Sequence, residues 1–118
     1  MDKDIADFLL MCGFSPKHYG YKYLKKAISI FIENGFDVRN LGGNLYERLS
    51  QVESGKSKKT IEKNITSSIE WAYLKGDVKF LEKFDMFGGG DKGRPTNNEF
   101  IALAATKIMY NLNNKKIS

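Results

Sequence analysis

Residues 41–76 read LGGNLYERLSQVESGKSKKTIEKNITSSIEWAYLKG, and the spacing of their apolar side chains decides the fold. Leu41, Leu45, Leu49 and Val52 recur at intervals of three and four, the period of an α-helix with one apolar face. Ile61, Ile65, Ile69, Ala72 and Tyr73 repeat that spacing over a longer stretch that stops at Lys75-Gly76. Between them, Glu53-Ser54-Gly55-Lys56 reads as a turn, with Gly supplying the backbone freedom a tight connection needs. Short helix, turn and longer helix predict a helix-turn-helix over about residues 41–75.

The start of the second helix carries the first functional signal. Ser57 suits the N-cap, which places Lys58 and Lys59 in the first turn. The helix dipole disfavours each cation there by roughly 0.3–1 kcal/mol, so a helix built only for stability would carry carboxylates instead. Cations at that tip make sense if it approaches phosphates. Opposite the Ile61/Ile65/Ile69 stripe stand Lys59, Thr60, Glu62, Lys63, Thr66 and Ser67. These are side chains that a recognition helix offers to base edges in the major groove; an ordinary solvated face is the alternative. A second basic run, Lys17, Lys22, Lys25 and Lys26, falls in residues 15–26, which hold no carboxylate. Solubility is the bland reading of that run.

Outward from this segment the helical period continues in both directions. Ile5, Phe8, Leu9 and Cys12 form one stripe, closed by Gly13 as a left-handed cap. Tyr21, Leu24, Ile28, Phe31 and Ile32 form another, which ends at Asn34-Gly35. Val78, Leu81 and Phe84 follow Asp77, an N-cap candidate. Thr96-Asn97-Asn98-Glu99 fits a capping box before Phe100, Ala104, Ile108 and Leu112. Gly88-Gly89-Gly90-Asp91-Lys92-Gly93-Arg94-Pro95 is a basic connection between the last two helices. No strand and no internal repeat is evident. The expectation is an all-α, six-helix single domain over residues 1–118, with a frayed tail from about Asn113.

Composition narrows the function. The 118 residues are 42% hydrophobic and 28% charged, enough for one core and too mixed in sign for wholesale disorder. No apolar run approaches the roughly 18 residues of a membrane span. A lone Cys12 makes no internal disulfide, and Met1-Asp2-Lys3-Asp4 lacks a signal-peptide profile; both point to the cytoplasm. The net charge of +5 favours polyanionic partners. Catalysis has little to build on: one His and one Cys make no metal cluster, and Cys12 lies on an apolar helical face. His18 has no evident partner. Gly55-Lys56-Ser57 is no phosphate-binding loop, because Ser50 stands where that motif needs Gly and a helical stripe precedes it. No catalytic residue, metal or cofactor is expected.

Three blocks then resemble the C-terminal DNA-binding effector domain of the master sporulation response regulator, the stage zero sporulation protein A family. They are Gly20 to Ser29, Ile61 to Glu70 with Ala72 to Gly76, and Pro95-Thr96-Asn97-Asn98-Glu99-Phe100-Ile101-Ala102, the most specific of the three. The resemblance implies six helices, of which the fourth reads the major groove, and head-to-tail pairing on adjacent DNA boxes. It matches the family's base-reading Glu and the basic residue after it to Glu62 and Lys63. Thr60 and Thr66 stand where the family pattern carries arginines, the commonest guanine readers, so the resemblance implies DNA binding without fixing the target sequence. The Pro-x-His segment is kept as Pro16-Lys17-His18. The family regulator also carries an N-terminal receiver, and none is expected in this chain: either an excised domain or a stand-alone effector.

The resulting expectation is a non-enzymatic, sequence-specific DNA-binding transcriptional regulator. Lys59, Thr60, Glu62, Lys63, Thr66 and Ser67 would meet bases or nearby phosphates, with Lys22, Lys56, Lys58, Lys92 and Arg94 on phosphates. Phe80, Phe84 and Phe87 crowd a short helix and its exit and are candidates for self-association; burial of all of them in the core is the alternative. Double-stranded DNA is the expected partner, joined by a second copy on tandem sites. The runner-up is a protein-interaction module that antagonises a related regulator without reading bases.

Overall fold

The chain's structure is a computed structural model that describes residues 1–36, 43–53, 55–83, 86 and 93–117. The described residues form six helices: α1 (Asp2–Met11), α2 (Tyr19–Glu33), α3 (Gly43–Val52), α4 (Lys58–Lys75), α5 (Val78–Lys83) and α6 (Asn97–Ile117). No strand occurs among them. The all-helical expectation is met, and the helix-turn-helix comprises α3 and α4. Leu41 and Phe84 lie outside the described residues.

α2 is the axis of the fold. It packs on α1, α3, α4 and α6, and so it buries residues on several sides: Tyr23, Leu24, Ala27, Ile28, Ile30 and Phe31. The sequence stripe caught Leu24, Ile28 and Phe31 but left out Tyr23, which is buried while Tyr21 is only partly so. α2 ends as its Asn34-Gly35 signal predicts. Asn34 donates its side-chain amide to the Ile30 carbonyl at 2.7 Å, and Gly35 takes a left-handed φ of 71°.

α1 and α6 lay single faces against this axis, and α5 packs on α4. α1 contributes Ile5, Phe8 and Leu9, and α6 contributes Phe100, Ile101, Ala104, Ala105 and Ile108. Each fully buried Leu, Ile or Phe stabilises the fold by roughly 1.5–3 kcal/mol relative to exposure. Two predicted starts are present. Asp77 accepts from the Phe80 amide at 3.0 Å. In the capping box, Thr96 accepts from the Glu99 amide at 3.2 Å while Glu99 accepts from the Thr96 amide at 3.0 Å.

The end of α1 and the end of α4 meet backbone to backbone. The Asp77 amide donates to the Cys12 carbonyl at 3.3 Å. Gly13 has φ +94°, and a Cβ there would lie 2.5 Å from the Asp77 nitrogen; one on Gly76 would lie 2.8 Å from the Cys12 carbonyl oxygen. Only glycine pairs allow so close an approach. Tyr73 donates its hydroxyl to the Met86 carbonyl beside this junction. Burial pushes the Cys12 thiol up to about 12, with Asp77 a lesser contributor, so it is an inert core thiol near neutral pH.

Candidate nucleic-acid interface

The turn between α3 and α4 is held at both sides. Gly55 adopts φ +84°, Lys56 donates its amide to the Glu53 carbonyl at 3.1 Å, and the Ser50 hydroxyl donates to the Lys56 carbonyl at 2.6 Å. Ser57 then caps α4 as predicted: its hydroxyl oxygen accepts from the Thr60 amide at 3.2 Å and donates to the Thr60 hydroxyl at 3.0 Å. No carboxylate stands in the first turn of α4, and Lys58 and Lys59 are exposed there.

α4 buries Ile61, Ile65, Ser68, Ile69 and Ala72. Successive side chains are about 100° apart, so Lys59, Lys63 and Ser67 lie on the opposite side of the helix. All three are exposed. The two flanks between these faces are occupied by different elements. On one, α2 crosses so closely that a Cβ on Gly20 would lie 2.3 Å from the Asn64 carbonyl oxygen and 2.1 Å from the Ser68 hydroxyl. His18 adds an edge-on ring contact to Trp71 with centroids 5.0 Å apart. On the other flank runs the corner that leads into α6. Asn97 donates its side-chain amide to the Thr66 hydroxyl at 2.9 Å and to the Glu62 carbonyl at 3.3 Å. Arg94 pairs with Glu70 at 3.6 Å. Glu62, Thr66 and Glu70, spaced by four, form the row that this corner follows.

The predicted residues thus fall into distinct environments. Lys59, Glu62, Lys63 and Ser67 are exposed on α4. The Thr60 side chain is exposed but engaged in the Ser57 cap. Thr66 is half-buried, and its hydroxyl donates to the Glu62 carbonyl at 2.9 Å while accepting from Asn97. Lys58 is exposed, and the Lys56 ammonium lies 5.8 Å from the Tyr19 ring centroid. Lys22 pairs with Glu53 at 3.0 Å, and that hydrogen bond and charge hold its ammonium above the usual lysine range. Phe80 is half-buried, its ring edge-on to Phe8 with centroids 5.8 Å apart. Lys92, Phe84 and Phe87 lie outside the described residues.

Sequence reasoning missed two contributors. Tyr19 opens α2, is 67% exposed and shares the side of the turn with Lys56. Its place beside Lys17 and His18, at the head of a run of alternating tyrosines and lysines, was the available signal. Asn97 gave none beyond its place in the capping box. Among the described residues, no group of three or more His, Cys, Asp or Glu is placed to hold a metal, and no helix is long and apolar enough to cross a membrane.

The sequence profile of the family described as Sporulation initiation factor Spo0A C terminal matches residues 5–108, nearly the whole chain. The chain belongs to that family. Spo0A C-terminal domains are DNA-binding effector domains, not a catalytic family. The sequence blocks that carry the resemblance coincide with the contacts around α4. Gly20 makes the close crossing, Ile61 to Gly76 covers α4 beyond its first three residues together with its C-cap, and Arg94 aside, the corner against Glu62 and Thr66 comes from Pro95 to Ala102.

Proposed function

We propose that this Spo0A C-terminal family member is a sequence-specific DNA-binding transcriptional regulator whose α4 enters the major groove. The observation that carries the reading is the outward face of α4: Lys59, Lys63 and Ser67 stand exposed between two packed flanks, above a first turn with two cations and no carboxylate. Lys63 and Glu62 read bases, Lys59 and Ser67 meet bases or adjacent phosphates, and Thr60 presents its methyl side from the cap. Lys58 and Lys56 neutralise phosphates at the helix tip, with Lys22, Lys92 and Arg94 as outer contacts. For Lys22 and Arg94 the phosphate displaces a carboxylate partner, Glu53 or Glu70, so these two contribute less than Lys58. Thr66, turned toward Asn97, supports the reading face from beneath.

On DNA with two adjacent sites, a second copy binds head to tail, and tethering to one duplex supplies a millimolar-range effective concentration. Phe80, Phe84 and Phe87 are the proposed contact region.

The test is selection of bound duplexes from a random pool, followed by affinity measurements across salt. A defined motif is expected. With about four to six phosphates neutralised per monomer, the log–log salt slope is roughly −4 to −5. A pool that stays random, or a flat salt response, overturns the proposal.

A further inference from the structure

We infer that Asn97, which lies on α6 and outside the reading face, is a positioning residue that sets how α4 presents Glu62 and Lys63. The inference rests on the DNA-reading role proposed for α4. Its basis is where the Asn97 side chain ends. One amide group donates both to the Thr66 hydroxyl at 2.9 Å and to the Glu62 carbonyl at 3.3 Å. Thr66 closes the triangle by donating to that same carbonyl at 2.9 Å. A helix carbonyl ordinarily accepts from the amide four residues on; this one also receives two side-chain donors. Threonine bonding of this kind bends helices slightly, and here a second donor on a different helix draws the same carbonyl toward α6.

The location gives this contact its consequence. Glu62 and Lys63 belong to the turn of α4 whose carbonyl is held. Rotation of that turn by a few tens of degrees moves the Lys63 side chain from base edges toward the backbone of a groove about 12 Å wide. The opposite flank allows no compensating slide, since Gly20 packs directly on the Asn64 carbonyl and Ser68. Arg94 on Glu70 extends the same contact line two turns along α4. Asn97 also neighbours α3. Burial holds the Tyr46 hydroxyl of α3 above the ordinary tyrosine value, and the Asn97 side chain, within hydrogen-bonding influence of it, works against that rise. A single half-buried amide therefore stands where α3, α4 and α6 converge.

Two substitutions separate positioning from folding. Asn97→Ala removes both donors. Asn97→Asp keeps the volume and places a carboxylate in the first turn of α6, where the dipole favours it, but sets acceptor against acceptor at Glu62. Both variants should keep the wild-type circular dichroism spectrum, non-specific DNA affinity and salt slope. Their ratio of specific to non-specific affinity should fall by about tenfold, the worth of one misread base pair. Asn97→Asp should lose at least as much as Asn97→Ala while melting no earlier. A merely structural role would move the melting temperature and leave that ratio alone. An unchanged ratio with an unchanged selected motif overturns the inference. Should the wild-type protein select no motif, the DNA reading itself fails, and positioning is decided in the free protein by hydrogen exchange. Amides of residues 63–67 should then exchange about tenfold faster in both variants, with those of residues 69–73 unaffected. Equal protection across α4 overturns it.

Discussion

The two ends of α4 are built on opposite terms. At the C-terminal end, Gly76 and Asp77 meet Cys12 and Gly13 with no side chain between the backbones, and the thiol beside them is fully buried. At the N-terminal end, one hydroxyl cap holds the helix start, and two lysines face solvent against the helix dipole. One end spends its sequence on fit, and the other gives up local stability to display charge. A helix anchored at its far end can afford an unfavourable near end, because packing along Ile61, Ile65 and Ile69 carries most of its stability.

The contrast can be broken first at the anchored end, by alkali. The Cys12 thiol ionises near 9.0 when unconstrained and at about 12 in the fold. The native state therefore keeps a proton that the unfolded chain releases, so this contribution to stability is whole below pH 9 and lost as pH rises toward 12. The decline is about 1.4 kcal/mol per pH unit, or about 4 kcal/mol over the interval. Denaturant titrations from pH 8 upward should show it, and Cys12→Ala should flatten it. Tyr73, also held above the ordinary tyrosine value by burial, leaves a residual decline in that variant.

Gly13→Ala tests the same end sterically. Positive φ together with a Cβ 2.5 Å from the Asp77 nitrogen should destabilise the fold by about 3 kcal/mol. A variant within 0.5 kcal/mol of wild type, roughly the scatter of neutral surface changes, would show that the junction relaxes freely. The exposed end should respond in the reverse sense. Lys58→Glu with Lys59→Glu should raise unfolding stability by about 1 kcal/mol, yet lower DNA affinity about a hundredfold at 0.1 M salt. Parallel losses of stability and affinity would mean that the two lysines hold the helix together. The smallest effect belongs to Ser57→Ala, at about 1 kcal/mol of stability, with the selected motif unchanged.

How far the sequence discloses this arrangement varies along the chain. Helix starts were legible because a cap is a local contract: Ser57, Asp77 and Thr96 each bond an amide three residues on. Single-faced helices were legible for the same reason that periodicity works, since one neighbour buries one stripe. α2 departs from its stripe because four helices surround it, so Tyr23 and Ile30 are buried off the predicted face. On α4, periodicity separated Lys63 and Ser67 from the buried face but had no means of telling Thr66 from them. Thr66 is turned inward by Asn97, 31 residues away, and no local pattern encodes a polar contact at that separation. The same holds for Arg94 and Glu70. The exposed face of α4 was visible in the sequence, whereas the elements that bound it were not.

The position of α6 in the chain has a consequence for biosynthesis. Phe100, Ile101, Ala104 and Ile108 complete a core whose other walls, on α1 and α2, emerge from the ribosome much earlier. At about 5–20 residues per second, the stretch from Thr96 to Ile108 takes on the order of a second to make. During that interval the apolar faces of α1 and α2 lack their last cover, and the Glu62 carbonyl and Thr66 hydroxyl lack the Asn97 amide that bonds them in the complete fold. The nascent domain therefore displays the cations at the tip of α4 before its core is closed, and a chain stalled short of α6 would expose apolar surface alongside that charge.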